Sequence, residues 1–298
     1  MGECTYRKVL ISEMAEAQTV AMKVTLIGAG NLATNLGKAL FGVGHDIVEV
    51  YSRTMASAEA LADRLGSRAT TDLAAINHES DVYILAVKDS ALEEVIDTLA
   101  SSEVRRAGFD VRGTGREVQN PVFLHTAGSV PMSIFEGRCQ HYGVLYPMQT
   151  FSKDKEVEFS EIPIFIEGNS EASLRCSMTL AKSISKRVHE CTSEQRKHLH
   201  LAAVFACNFV NHCYALSARL LERQGIPFEV MLPLIDETAR KVHTIPPAEA
   251  QTGPAMRYDE NIIQAQADLL NDFPDLRELY LKWSQSIHSM HQIQPFHP

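Results

Sequence analysis

The chain has 298 residues, 45% of them hydrophobic and 22% charged, and 28 Lys and Arg against 37 Asp and Glu give a formal net charge of −9. This composition excludes a disordered chain and a small disulfide scaffold. A net negative protein without a block of Lys and Arg also has no electrostatic footprint for a polyanion, so nucleic acid is not an expected partner.

At about 100–200 residues per domain, the length predicts one large or two modest domains, with chain enough for real cores and a ligand cleft. The six cysteines (Cys4, Cys139, Cys176, Cys191, Cys207, Cys213) lack any ligand spacing, which predicts reduced thiols, a cytoplasmic location and no metal site. No run of about 18 apolar residues stands out, so no membrane span is expected. The opening MGECTYRKVL lacks the apolar stretch of a secretory signal, and Tyr6 stands where a myristoylation motif wants Ser or Thr.

Residues 1–21 read as an appended segment, because Met22 opens the apolar run KVTLIGAGN, a buried parallel strand meeting a turn. A helix follows with Leu32, Leu36, Ala39 and Leu40 on one face, closed by Gly42 and Gly44. Next come a strand DIVEVYS, a helix over 55–65, a short strand near Arg68–Thr71 and a helix from Asp72. DVYILAV (81–87) and PVFLHTAG (121–128) are further buried strands, with a helix over 91–100 between them. The polar stretch 101–120 reads as a surface insertion. Two last strand-like runs, HYGVLYPMQTFS and EIPIFIEG, close an alternating α/β half: a Rossmann-type doubly wound parallel sheet over 22–168.

Beyond Gly168 the pattern turns helical, giving an all-helical C-terminal domain over 169–298. It contains a helix over 170–184, one possible last strand SKRVHECT, and a long helix over 193–225 capped by Ser193 and stopped by Gly225. A helix from Pro227, broken or kinked near Pro233, and two closing helices, around 259–271 and 274–291, complete it.

The strongest chemical signal is Gly28-Ala29-Gly30-Asn31-Leu32-Ala33, a GxGxxA between a strand and a helix. Gly28 permits the tight turn, Gly30 lets the backbone approach a pyrophosphate, and Ala33 lets helix and strand pack, so Gly28, Gly30, Asn31 and Leu32 are expected dinucleotide contacts. Where an NAD enzyme carries Asp or Glu after the second strand, this chain has Ser52, Arg53 and Thr54, which suit a 2′-phosphate; NADP is the expected cofactor. Glu49 is the nearest acid, but it falls within the strand. Val87, Lys88 and Thr126 follow the next two strand ends and are expected at the cofactor, whereas His125 merely lines the site.

GAGNLA, the YSRT turn, HTAG, YPMQTFS (146–152), AAVFACNFVNHCYAL (202–216) and TGPAMRYDE (252–260) together resemble a family of Rossmann-like proteins with a C-terminal helical domain of unknown function. Its members are described as NADP oxidoreductases of the coenzyme-deazaflavin-dependent type. The group is similar to pyrroline-5-carboxylate reductases and, more distantly, to 6-phosphogluconate and 3-hydroxyisobutyrate dehydrogenases. The resemblance covers about residues 22–290 and implies a nucleotide-binding oxidoreductase. It also implies a Ser in HTAG, where this chain has Ala127. In the related dehydrogenases a Lys and an Asn one turn apart face the nicotinamide; matched on Asn208, this chain has Val204 or Phe205 in place of the Lys.

What the long helix does offer is His200, Asn208, Asn211 and His212, at i, i+3 and i+4 spacings that predict one polar face in an apolar helix. Such groups need partners in a hydrogen-bonded core or in a ligand. In the second case an imidazole can supply the proton that accompanies hydride delivery to C=O or C=N. Arg257 is a candidate anion clamp for the substrate, with Asp259 as its partner or as the next helix's cap. Apolar residues on several faces of the long helix (Leu201, Phe205, Val210, Leu216, Leu220) predict a homodimer. The expectation is an NADP(H)-dependent oxidoreductase of a small carbonyl or imine compound. A non-catalytic NADP-binding regulator and a transfer between NADP and a deazaflavin are the alternatives.

Overall fold

The computed structural model describes residues 21–101 and 121–292. The expected N-terminal extension, but for its last residue, and the expected insertion, but for its first, lie outside the described residues. The sheet is built on β1 (Lys23–Ile27), β2 (Asp46–Tyr51), β3 (Arg68–Thr70), β4 (Val82–Leu85), β5 (Val122–His125), β6 (His141–Pro147), β7 (Ile164–Gly168) and β8 (Val188–Glu190), in the order 3-2-1-4-5-6-7-8. Every neighbouring pair is parallel except β6 and β7. Strand order reverses between β1 and β4, the point where such sheets open a ligand crevice beyond the carboxyl ends of their strands.

The strands' period of two sorts their side chains onto two faces. In β4, Val82 and Ile84 join one core cluster with Leu36 and Leu40 of α1 (Asn31–Gly42), Leu61 and Leu65 of α2 (Met55–Leu65) and Leu180 and Ile184 of a helix following β7. Tyr83 and Leu85 join the opposite cluster with Leu92, Ile96 and Leu99 of α3 (Leu92–Ser101). Residues fully buried on both faces explain why these strands read as continuous apolar runs rather than alternating ones.

The helix expected from Asp72 is absent. Asp72 Oδ1 accepts the Ala74 N–H at 2.9 Å and Asn77 Oδ1 the Glu79 N–H at 2.6 Å, two local side-chain bonds that hold the backbone in turns. The boundary expected at 168 also moves. The helix α4 (Glu171–Ile184) begins with a Ser170–Ser173 capping box, packs Leu180, Ala181 and Ile184 on the sheet, and leads into β8. The first unit therefore runs to Asn208, and the second covers Phe209–Pro298. The sheet does not end at Gly168: β7, α4 and β8 form one more parallel β–α–β unit that runs past it.

The long helix α5 spans Ser193–Glu222. Its cap is Thr192, one residue before the expected Ser193: Thr192 Oγ1 accepts the Gln195 N–H while Gln195 Oε1 accepts the Thr192 N–H. Val204–Phe209 form a π turn, which admits an extra residue per turn and shifts the phase of everything after it. The unbroken α-helical spacing on which one polar face was expected for 200, 204, 208, 211 and 212 is interrupted by that turn. By length and composition α5 is long and apolar enough to cross a membrane, contrary to expectation, because the scattered polar residues leave the apolar average of the stretch high.

In the second unit the segment is broken at Pro233, the first of the two alternatives expected: a 3-10 turn Phe228–Met231 gives way to the helix Leu232–Lys241, where Pro233 lies in the first turn and its missing N–H costs nothing. Helices Glu260–Asp268 and Pro274–Gln292 close the chain. The buried residues described in this unit are Ile263, Ala267, Leu270 and Ser284.

Candidate functional site: a cleft at the strand ends

A cleft of about 870 Å³ opens in the first unit at the carboxyl ends of β1, β2, β4 and β5. Its floor is the β1–α1 turn. Gly28 has φ +121°, and a Cβ there would lie 2.4 Å from the Ala86 carbonyl oxygen, so only glycine fits. A Cβ on Gly30 would meet nothing within 4 Å, so the backbone at this position faces open space. Gly30 caps α1 without any side-chain bond, and the first turn of the helix holds no acid. Backbone N–H groups and a helix dipole are left for an anion, which suits a diphosphate. The close helix–sheet approach is served by Ala33, fully buried, and by Gly37, whose Cβ would lie 2.7 Å from Leu26.

Of the expected cofactor contacts, Gly28, Gly30, Asn31, Leu32, Ser52, Arg53, Val87, Lys88 and Thr126 all line this cleft. Thr54 does not. It begins α2 and bonds Ser57, and Ser57 takes the place on the wall. Glu49 is sequestered: 1% exposed, it accepts from Arg68 at 2.7 Å and from the Asn77 N–H at 2.6 Å, which removes it as a ribose acceptor. Asp72, unforeseen, lines the same wall.

His125 does not line the cleft but is fully buried under it, stacked on Phe135, with its Nδ1 accepting the Ala127 N–H at 3.2 Å. Burial, helped by the nearby Arg196 cation, depresses its pKa to about 3, so the ring is a neutral brace for the loop 126–128. That loop delivers Gly128, whose absent side chain makes room for the far end of the cleft. A Cβ on Gly128 would lie 2.4 Å from His200 Nδ1 and 3.0 Å from the Tyr146 ring.

Tyr146 of β6 and His200 of α5 meet there, with 3.1 Å between Tyr146 Oη and His200 Nδ1, and both line the cleft. Burial raises the Tyr146 phenol above its ordinary value, Asp89 adds to the rise, and Arg196 opposes it. Arg196 stands one turn before His200 and is fully buried. It pairs with Glu167 of β7, donates to the Val130 carbonyl at 2.6 Å, and reaches Ser193 Oγ at 3.3 Å. Glu167 in turn accepts from the Ser193 N–H and hydroxyl. This cluster fastens the first turn of α5 to the sheet and to the loop after Gly128, which sets where His200 stands.

His200 is thus the member of the expected catalytic set that the structure brings to the cleft. Asn208 is exposed at the end of the first unit, and Asn211 and His212 are exposed residues of the second. Arg257 is exposed in the short helix Pro254–Arg257, and Asp259 caps the next helix through the Ile262 N–H, the second of the two roles expected for it. Sequence reasoning missed Tyr146, although the strand-end rule it applied to β4 and β5 covers β6 as well, a parallel neighbour of β5.

Residues 11–136 match a Rossmann-like domain, and residues 162–287 match a domain of unknown function, DUF2520. A Bacteroides fragilis protein described as a candidate NADP oxidoreductase is 50% identical over 92% of this chain and all of its own, with a TM-score of 0.83. The chain belongs to the same family as that protein. More distant structures share the fold. A reductive aminase from Aspergillus terreus, in complex with NADPH and ethyl levulinate, is 15% identical over 91% of this chain and 94% of its own, with a TM-score of 0.61. A pyrroline-5-carboxylate reductase from Coxiella burnetii is 17% identical over 91% and 98%, with a TM-score of 0.53. No protein of curated description matches the sequence.

Proposed function

We propose that the protein is an NADP(H)-dependent oxidoreductase that reduces a small carbonyl or imine compound, or runs the reverse reaction. The observation that carries this reading is the Tyr146–His200 hydrogen bond in the same cleft as the Gly28–Ala29–Gly30 turn. A bound nicotinamide supplies or accepts hydride. The chain's own part is to hold the dinucleotide on the open backbone at Gly30, to shelter the reacting carbon, and to move one proton. Tyr146, a phenol whose pKa burial holds further above neutral, gives that proton to the substrate oxygen or nitrogen, and the imidazole of His200 returns one to the phenolate across their shared bond while taking one up from solvent at its other nitrogen. The family tie to the Bacteroides fragilis protein and the fold shared with a reductive aminase, an imine reductase and a pyrroline-5-carboxylate reductase support the same chemistry. Spectrophotometric oxidation of NADPH against a panel of small ketones, aldehydes and cyclic imines tests it. Tight NADPH binding with no turnover on any of them favours the regulatory alternative.

NADP rather than NAD follows from the β2 end, where Arg53 faces the cleft and Glu49 is locked away. Arg53→Ala is expected to weaken NADPH binding by about 10–100-fold, the worth of a charge-assisted bond, while leaving NADH binding unchanged. Titration calorimetry with both cofactors reads the difference, and equal losses would remove Arg53 from the 2′-phosphate.

A homodimer belongs to the same proposal. No described residue from Phe209 to Ile262 is buried, and Phe209, Val230, Leu232 and Leu234 are all large, apolar and exposed. A monomer leaves such a face in water at a cost that a second copy removes. Light scattering of the full chain at micromolar concentration is expected to give twice the monomer mass, and a monomer there refutes the assembly.

A further inference from the structure

The segment after β6, QTFSKD, is a motif the mechanism leaves unused, and the structure fastens it across α1. Asn31, the first residue of that helix, donates its side-chain amide to the Phe151 carbonyl at 2.9 Å. Asn35, one turn on and only 5% exposed, donates to the Ser152 carbonyl at 3.0 Å and to the Asn31 carbonyl at 2.8 Å. Two amides on successive turns thus buckle the loop that leaves β6, three strands away from β1, onto the helix end that frames the glycine turn. Phe151 stacks on buried Phe159 at 5.6 Å between ring centroids, which fixes the other side of the strap. The next residue, Lys153, is exposed, makes no ion pair among the described residues, and lines the same cleft as Gly28 and Gly30.

We propose that this strap is part of the dinucleotide site and that Lys153 is the cation for the diphosphate bridge. The inference rests on the dinucleotide reading above. Its position separates Lys153 from the other cations of the cleft. Arg53 stands at the end of β2, on the side of the 2′-phosphate, and Lys88 follows β4. Lys153 is tied through Phe151 and Ser152 to the first and fifth residues of α1, where the uncapped N–H groups lie. A flexible ammonium placed there adds a point charge to an anion already held by backbone donors. The diphosphate is common to NADPH and NADH, so the strap serves both cofactors alike, unlike Arg53.

The test is titration of the full-length wild type and of Lys153→Ala with NADPH and with NADH at one fixed salt concentration. The expected result is a loss of about tenfold for both cofactors, of the size of one charge-assisted bond. Asn35→Ala, which frees the strap but keeps the lysine, is expected to weaken both in the same proportion to each other, with circular dichroism confirming the fold. Unchanged affinities in Lys153→Ala, while the wild type binds both cofactors, overturn the strap and leave the dinucleotide reading standing. A loss confined to NADPH overturns the diphosphate assignment, and a wild type that binds neither cofactor overturns both readings.

Discussion

Tyr146→Phe is expected to lower turnover by about 10²–10⁴-fold, the range measured for removing a positioned proton donor, with NADPH affinity unchanged. The substitution deletes one hydroxyl and preserves the ring that packs beside Phe165, so the fold has no reason to respond. His200→Ala should cost a similar factor, and the double variant little more than either alone, because two groups sharing one hydrogen bond act as a unit. The pH profile carries a second sign of the same assignment. Burial and Asp89 hold the phenol protonated beyond the ordinary tyrosine range, so the rate of reduction should not fall on the alkaline side until the pH passes that raised value. Single-turnover absorbance measurements with saturating NADPH read all three. Full activity in Tyr146→Phe would mean that the proton comes from water and that the pair serves only to shape the cleft.

The largest expected effect on stability belongs to Arg196. Arg196→Ala removes a fully buried cation and leaves Glu167, 14% exposed at its side chain, without its ionic partner, a class of change that costs about 3–5 kcal/mol. The thermal midpoint should fall by roughly 6–20 °C for a unit of this size. Differential scanning calorimetry measures it. Arg196→Lys keeps the charge but lacks the fork that reaches Glu167, Val130 and Ser193 together, and should fall between the two. A midpoint unmoved in Arg196→Ala would show that the cluster contributes nothing to holding α5 on the sheet.

The parts of this fold legible in the sequence are those governed by local rules. Buried parallel strands announce themselves as runs such as KVTLI and VYIL, and the glycine turn carries its own explanation in the positive φ of Gly28. The helix expected from Asp72 failed because Asp72 and Asn77 bond their own backbone, a competition invisible to periodicity. The spacing read along α5 assumed an unbroken α-helix, and the π turn Val204–Phe209, which no residue type demands, departs from it. Tyr146 was within reach of the strand-end rule, but its pairing with His200 beside Gly128, like the fastening of Lys153 by Asn31 and Asn35, depends on tertiary neighbours. Of the residues expected to act on that helix, His200 lines the cleft, and its partner there is Tyr146 rather than Asn208, Asn211 or His212.

Gly128 has an implication for how this family can diversify. The space its missing methyl leaves is filled by the imidazole and the phenol ring, both within 3.0 Å of where a Cβ would stand. Adding even one carbon there displaces the pair, so no gradual route of enlargement exists at that position. New substrate preferences must therefore be acquired at the rim, at exposed cleft residues such as Ser90 and Glu94, where replacements cost little stability and can be tried one at a time. Relatives that keep the Tyr146–His200 pair should then keep glycine at this end of the cleft and differ mainly around its mouth.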